Sequence, residues 1–153
     1  MRISTRTEAT RSAIEATGAE CWIGTPDRLA TLRGALEGVT ILCWLLGSAA
    51  GSPEELKALH TSRLEFFVTQ AVDTTVRGIV YEAVGRDAAA RLIDEGAGIV
   101  RALAERNAIP VRLITAEPEE VEAWLQDARA SIESLLQSRI IRSAGQAPRG
   151  AGR

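Results

Sequence analysis

Val39-Thr40-Ile41-Leu42-Cys43-Trp44-Leu45-Leu46 decides the fold. The run is almost continuously apolar, rich in branched residues, and bounded by Gly38 and Gly47. It is too short for a good helix and far short of the roughly 20 residues of a membrane span. Such a run reads as a parallel strand buried on both faces, which requires helices above and below it.

Outward from that strand the chain alternates. Toward the N-terminus, Thr25-Pro26-Asp27 reads as a helix start, with Thr as N-cap and Pro in the first turn, and Gly38 as its end. Before it, Glu20-Cys21-Trp22-Ile23 is a strand, 7–17 a helix closed by Gly18, and Arg2-Ile3-Ser4-Thr5 a short strand. Toward the C-terminus, Ser52-Pro53-Glu54-Glu55 is a capping box that opens a long helix to about residue 75. A strand at 78–81, a helix at 87–106 and a strand at 109–115 follow. A last helix begins at Glu117-Pro118, with Val121, Trp124, Leu125, Ala128, Ile132, Leu135 and Leu136 at helical spacing. This strict alternation defines a parallel sheet covered by helices. The 153 residues suit one α/β domain, placed at 1–142, and the Gly-, Ala-, Pro- and Arg-rich 143–153 reads as a disordered basic tail.

Composition narrows the partners. With 46% apolar and 25% charged residues, wholesale disorder is excluded. All 20 acidic residues precede Arg139, and 4 of the 18 basic ones lie from there onward, so the body carries a charge of −6. An acidic body argues against a nucleic-acid groove. Met1-Arg2-Ile3-Ser4-Thr5-Arg6 has no apolar core of a secretory signal, and the expectation is a cytoplasmic protein with no membrane span. Cys21 and Cys43 form no CxxC, and His60 is the only histidine, which leaves too few ligands for a zinc site. Both cysteines read as buried free thiols. His60 and Arg63 read as a solvated helix face. Glu82 reads as either a crevice base or a capping residue. Trp22, Trp44 and Trp124 read as core or interface.

Ligands of parallel α/β sheets sit beyond the carboxyl ends of the strands. There Ser4-Thr5-Arg6, Thr17-Gly18-Ala19-Glu20-Cys21-Trp22-Ile23-Gly24 and Leu29-Ala30-Thr31-Leu32-Arg33-Gly34-Ala35-Leu36-Glu37-Gly38-Val39 stand in order. Together they resemble the extended and atypical short-chain dehydrogenase/reductases, the NAD(P)-dependent epimerase/dehydratase-like family, over residues 2 to about 116. The resemblance implies a three-layer Rossmann-like fold with its first strand missing. It also implies a cofactor site at Thr5 and Arg6 and at the loop Leu46, Gly47 and Ser48. A basic residue after the second strand of that family accommodates the 2′-phosphate, so Arg6 points to NADP; the other reading is a solvated loop arginine. Gly47 would permit close backbone approach, or is an ordinary loop glycine.

Two departures bear on activity. The family's phosphate-binding G-x-x-G-x-x-G turn is absent, and Gly96-Ala97-Gly98 lies within a helical stretch rather than after a strand. The catalytic Tyr-x-x-x-Lys is also absent. Tyr81 is the only tyrosine, Gly85 stands where the lysine belongs, and Lys57 is the only lysine. The resemblance therefore leaves two functions open: an NADP-leaning oxidoreductase- or epimerase-like binding protein without the dyad, or a non-catalytic module that keeps the sheet and lacks the cofactor site. With a central strand missing, the 39–46 strand either pairs directly with 2–5 or presents an open edge to a second copy. A marginally stable chain that self-associates is the expectation.

Overall fold

The computed structural model describes residues 1–85 and 88–144. In it β1 (Arg2–Thr5) pairs in parallel with β2 (Glu20–Ile23), Arg2 opposite Glu20 and Thr5 opposite Ile23. β3 (Ile41–Trp44), β4 (Gly78–Glu82) and β5 (Val111–Ile114) form a second parallel sheet in that order. Among the described residues the two sheets are not hydrogen-bonded to each other. Direct pairing of the 2–5 and 39–46 strands therefore does not occur.

β4 is the centre of the larger sheet, and all of its residues are buried. Alternate side chains serve opposite layers, as the strand pleat requires. Ile79 and Tyr81 join the core made with α2 (Pro53–His60), α3 (Ser62–Val72) and α4 (Ala88–Arg106), through Leu59, Leu64, Phe67, Ile93 and Val100. Val80 and Ile114 meet α5 (Val121–Ala144) on the other face, through Ala128 and Leu135. These three layers are the expected α/β architecture. Leu135 packs so closely on β4 that a Cβ at Gly78 would lie 3.2 Å from it.

Several elements differ from the sequence reading. The 39–46 strand is shorter, and it is not buried on both faces: Ile41 and Leu42 are half-buried, and Cys43 and Leu45 are exposed. Among the described residues its far edge has no neighbouring strand. Cys21 is buried as expected; Cys43 is not. The helix expected from the capping box splits at Thr61 (φ −122°, ψ −92°) into α2 and α3. The Thr61 hydroxyl donates to the Lys57 carbonyl at 2.6 Å, a back-bond that bends helices. The capping box itself forms, with Glu55 N–H on the Ser52 hydroxyl and Ser52 N–H on the Glu55 carboxylate.

The 7–17 helix is reduced to a 3-10 turn at Glu8–Thr10 and α1 (Arg11–Glu15), neither of which buries a residue. A helix so short without a core face has little to hold it. Gly18, at φ +82°, ends it in the left-handed region. Thr25-Pro26-Asp27 is a turn and not a helix start. Asp27 N–H donates to the Thr25 hydroxyl, and Thr25 bridges Arg28. A 3-10 helix (Leu29–Leu36) follows, bound to Trp22, whose indole N–H donates to the Thr31 carbonyl at 2.7 Å. Trp22 fills the space a side chain at Gly34 would need. Of the expected basic tail at 143–153, residues 145–153 lie outside the described residues, as do 86–87, where the sequence reading starts a helix at 87.

Candidate functional site

The strand ends carry two separate polar clusters. The first lies beyond β1. Asp27 accepts from Arg63 Nη1 at 2.8 Å and pairs with Arg6 Nη2 at 3.1 Å. The Thr25 hydroxyl donates to the same carboxylate at 3.0 Å. Two guanidinium groups thus converge on one carboxylate, and the Glu55 carboxylate lies near enough to interact with both Asp27 and Arg63. Arg6 is two-thirds exposed, so its ion pair is weak and exchangeable. The Thr5 hydroxyl is bonded to that of Thr10 at 2.6 Å. Arg63, read from sequence as part of a solvated face, is the residue this cluster adds. Its partner lies 36 positions away, and no local pattern announces the pair.

The second cluster braces β3 to β4 and α5. Glu82, at the end of β4, is 3% exposed. One carboxylate oxygen accepts from Gly47 N–H at 2.7 Å and the other from Trp124 Nε1 at 2.8 Å. Glu82 is thus neither a free crevice base nor a surface cap. At Gly47 a Cβ would overlap the Val84 carbonyl and touch Glu82, so loop packing alone requires glycine there. Ser48 is exposed beside it.

A cavity of about 910 Å³ separates the sheets. Thr5, Arg6 and Leu46 line it; Gly47 and Ser48 do not. The structure therefore brings together three of the five expected site residues on one cavity, ties Gly47 into the Glu82 brace and leaves Ser48 exposed. Cys43 is open to the cavity, but the protein packed around its thiol on the cavity wall desolvates it and pushes it up to about 11, which leaves it protonated at neutral pH.

His60 corrects its sequence reading. It is 1% exposed, not solvated. Tyr81 Oη donates to the Ile93 carbonyl at 3.2 Å, so the 3.1 Å contact to His60 is accepted from Nδ1–H. His60 Nε2 has no partner among the described residues. Gly96 admits the pair: a side chain there would overlap Tyr81 Oη and lie 2.7 Å from the His60 carbonyl. The glycines of Gly96-Ala97-Gly98 thus stand inside α4, with Gly96 serving packing. Burial raises the Tyr81 pKa and holds His60 below its usual range.

The His60 shift makes stability depend on pH. Folded His60 takes its proton less readily than the unfolded chain. Its contribution is complete above the unfolded value of about 6.5 and is lost as pH falls through the folded value. Replacing His60 with glutamine is expected to flatten this acid slope. Urea midpoints of both proteins at about pH 7 and about pH 5 check it; parallel slopes would show that another group titrates.

No family model matches the sequence, and no curated protein matches it. The fold nevertheless has counterparts among solved structures. It is similar to triphenylmethane reductase of Citrobacter sp., with a TM-score of 0.56, 19% identity and 74% of this chain covered. The structure of that reductase complexed with NADP(H) matches equally well. Gox2253 matches with a TM-score of 0.55, 20% identity and 73% of this chain covered. The chain spans 38% of the length of the reductase and 42% of gox2253. The Rossmann-like α/β class read from the sequence is therefore the observed one. Among the described residues no helix is long and apolar enough to cross a membrane.

Proposed function

We propose that this chain is an NAD(P)-binding Rossmann-like protein of the atypical short-chain dehydrogenase type, leaning toward NADP and lacking the Tyr–Lys dyad. The observation that carries the reading is the Arg6–Asp27–Arg63 cluster at the end of β1, in a fold shared with a reductase complexed with NADP(H). Arg6 and Arg63 fit a phosphate monoester, since guanidinium groups bind such an anion bidentately. The fit stops there. Where a pyrophosphate would need a glycine-rich turn after a strand, the Gly96 stretch lies in α4 against Tyr81. Thr5 and Leu46 would flank the ribose end, with Gly47 and Ser48 alongside. No redox step follows from these residues. Tyr81 is buried in β4 against His60, and Lys57 lies in α2.

Binding is expected to be weak and selective. A nuclear magnetic resonance titration should show NADP shifting Arg6 and Thr25 amides at lower concentration than NAD. Replacing Arg6 with alanine removes one charge-assisted bond of about 1.5–3 kcal/mol and should erase a preference of roughly tenfold to a hundredfold. Equal response to both nucleotides would overturn the assignment of Arg6.

A second reading, a non-catalytic interaction module, is favoured by the open cavity between the sheets.

A further inference from the structure

His60 closes α2, and it is one of only two side chains that this helix buries; the other is Leu59. The remaining positions of α2 are exposed or half-buried. The capping box at its start, Ser52 with Glu55, is made within the element itself. By contrast, α3 buries Leu64, Phe67, Val68 and Ala71. The two helices meet at Thr61, whose backbone (φ −122°, ψ −92°) is helical in neither. A short helix with two anchors is thus joined, at a bend, to a longer one with four.

The His60 anchor is polar. Its Nδ1–H donates to Tyr81 Oη at 3.1 Å, and Gly96 of α4 lies against its carbonyl. Its Nε2 has no partner among the described residues, so a proton there finds no acceptor. An imidazolium in this place is a buried charge with one of its two donors unpaired. No neighbouring charge offsets it. Among the described residues β4 presents Tyr81, α4 presents the Ile93 carbonyl and Gly96, and α3 buries no charged side chain. Asp94 and Glu82 act on Tyr81 and not on His60, which burial alone shifts. Lys57, one turn back on α2, is exposed and carries the same sign as an imidazolium. A buried, half-paired charge costs far more than the neutral ring it replaces.

We propose that α2 is a flap, hinged at Thr61 and latched by His60, which a proton on the imidazole releases while α3 and β4 stay in place. Release opens the ring to water and takes only Leu59 out of the core. It also carries Glu55 away from Asp27 and Arg63, with which its carboxylate interacts, and so lifts a negative charge from beside Arg6. The release itself makes no use of the nucleotide reading.

Amide hydrogen exchange on the full chain tests this, read as protection factors so that the intrinsic pH dependence of exchange cancels. At about pH 7, protection over residues 56–61 is expected to lie below that of β4 and to resist low urea, since a local opening exposes little surface. Between about pH 7 and about pH 5 it should fall by roughly tenfold to twenty-five-fold, because the released ring takes its proton at the ordinary value of about 6.5. His60→Gln should keep that protection level across the same range. If the variant does not fold, the parent decides: His60 is the only histidine, so its ring proton signals report its titration without ambiguity. A His60 signal that titrates while residues 56–61 stay protected would overturn the proposal. So would protection there that equals that of β4 and falls with it in urea, since α2 would then leave only when the whole chain unfolds.

Discussion

Glu82→Ala should be the most damaging single substitution on the exit side of the larger sheet. It leaves the buried Gly47 N–H and the half-buried Trp124 indole N–H without their acceptor. An orphaned buried donor costs about 1–3 kcal/mol and a half-buried one less, so the loss is expected to be roughly 1–5 kcal/mol. Set against a total stability of about 5–15 kcal/mol, that removes a large share of the folded population. Glu82→Gln keeps one acceptor and opposes an N–H to the other donor, so it should fall between. Urea unfolding of the three proteins measures the series. An alanine variant within about 0.5 kcal/mol of the parent would show that water satisfies both donors, and that the brace contributes nothing.

Gly96→Ala is expected to be nearly as severe, for the opposite reason. A methyl group would overlap the Tyr81 hydroxyl and press on the His60 carbonyl. Ordinary helix propensity favours alanine over glycine by about 1 kcal/mol, so an exposed site would gain stability. Here overpacking of about 1–3 kcal/mol competes, and the Tyr81 bonds to His60 and to the Ile93 carbonyl are displaced as well. Crowding wins, and the melting temperature should fall. Gly98 is the internal control. It lies two positions along the same helix with open space around it, so Gly98→Ala should raise the melting temperature. If both substitutions stabilise, Tyr81 does not occupy the place described.

The strand pattern was legible because burial imposes it. Glu20–Ile23 forms as read from the residues, the 78–81 strand needs only Glu82 added to give β4, and the alternation that implied a parallel sheet is the alternation observed. Helix type was less legible. Thr25-Pro26-Asp27 has the composition of a helix start, but Trp22 takes the Thr31 carbonyl from nine positions away and a 3-10 helix results. Thr61 looked like any interior helix residue until its hydroxyl found the Lys57 carbonyl. The site was legible only in part. Arg6 stands out because it follows a strand. Its companions Asp27 and Arg63, and the partners of Glu82, come from distant segments whose meeting depends on the whole fold. His60 was misread because a single polar residue on an amphipathic helix gives no sign that a tyrosine from another strand awaits it.

The attachment of the smaller sheet has a consequence for how the molecule comes apart. Within β1 and β2 the fully buried apolar set is Cys21, joined by Ala19 just before, whereas the 3-10 helix anchors Leu32 and Leu36 in the main core. The strand pair hangs on that helix through the Arg2 guanidinium and the Trp22 indole. Elements with so few buried contacts detach at a free energy below that of global unfolding. The chain is thus built as a robust three-stranded body with a small ribbon clipped to its side. Under thermal stress the clip is the first thing to let go, so partial opening at the N-terminal ribbon precedes any loss of β4.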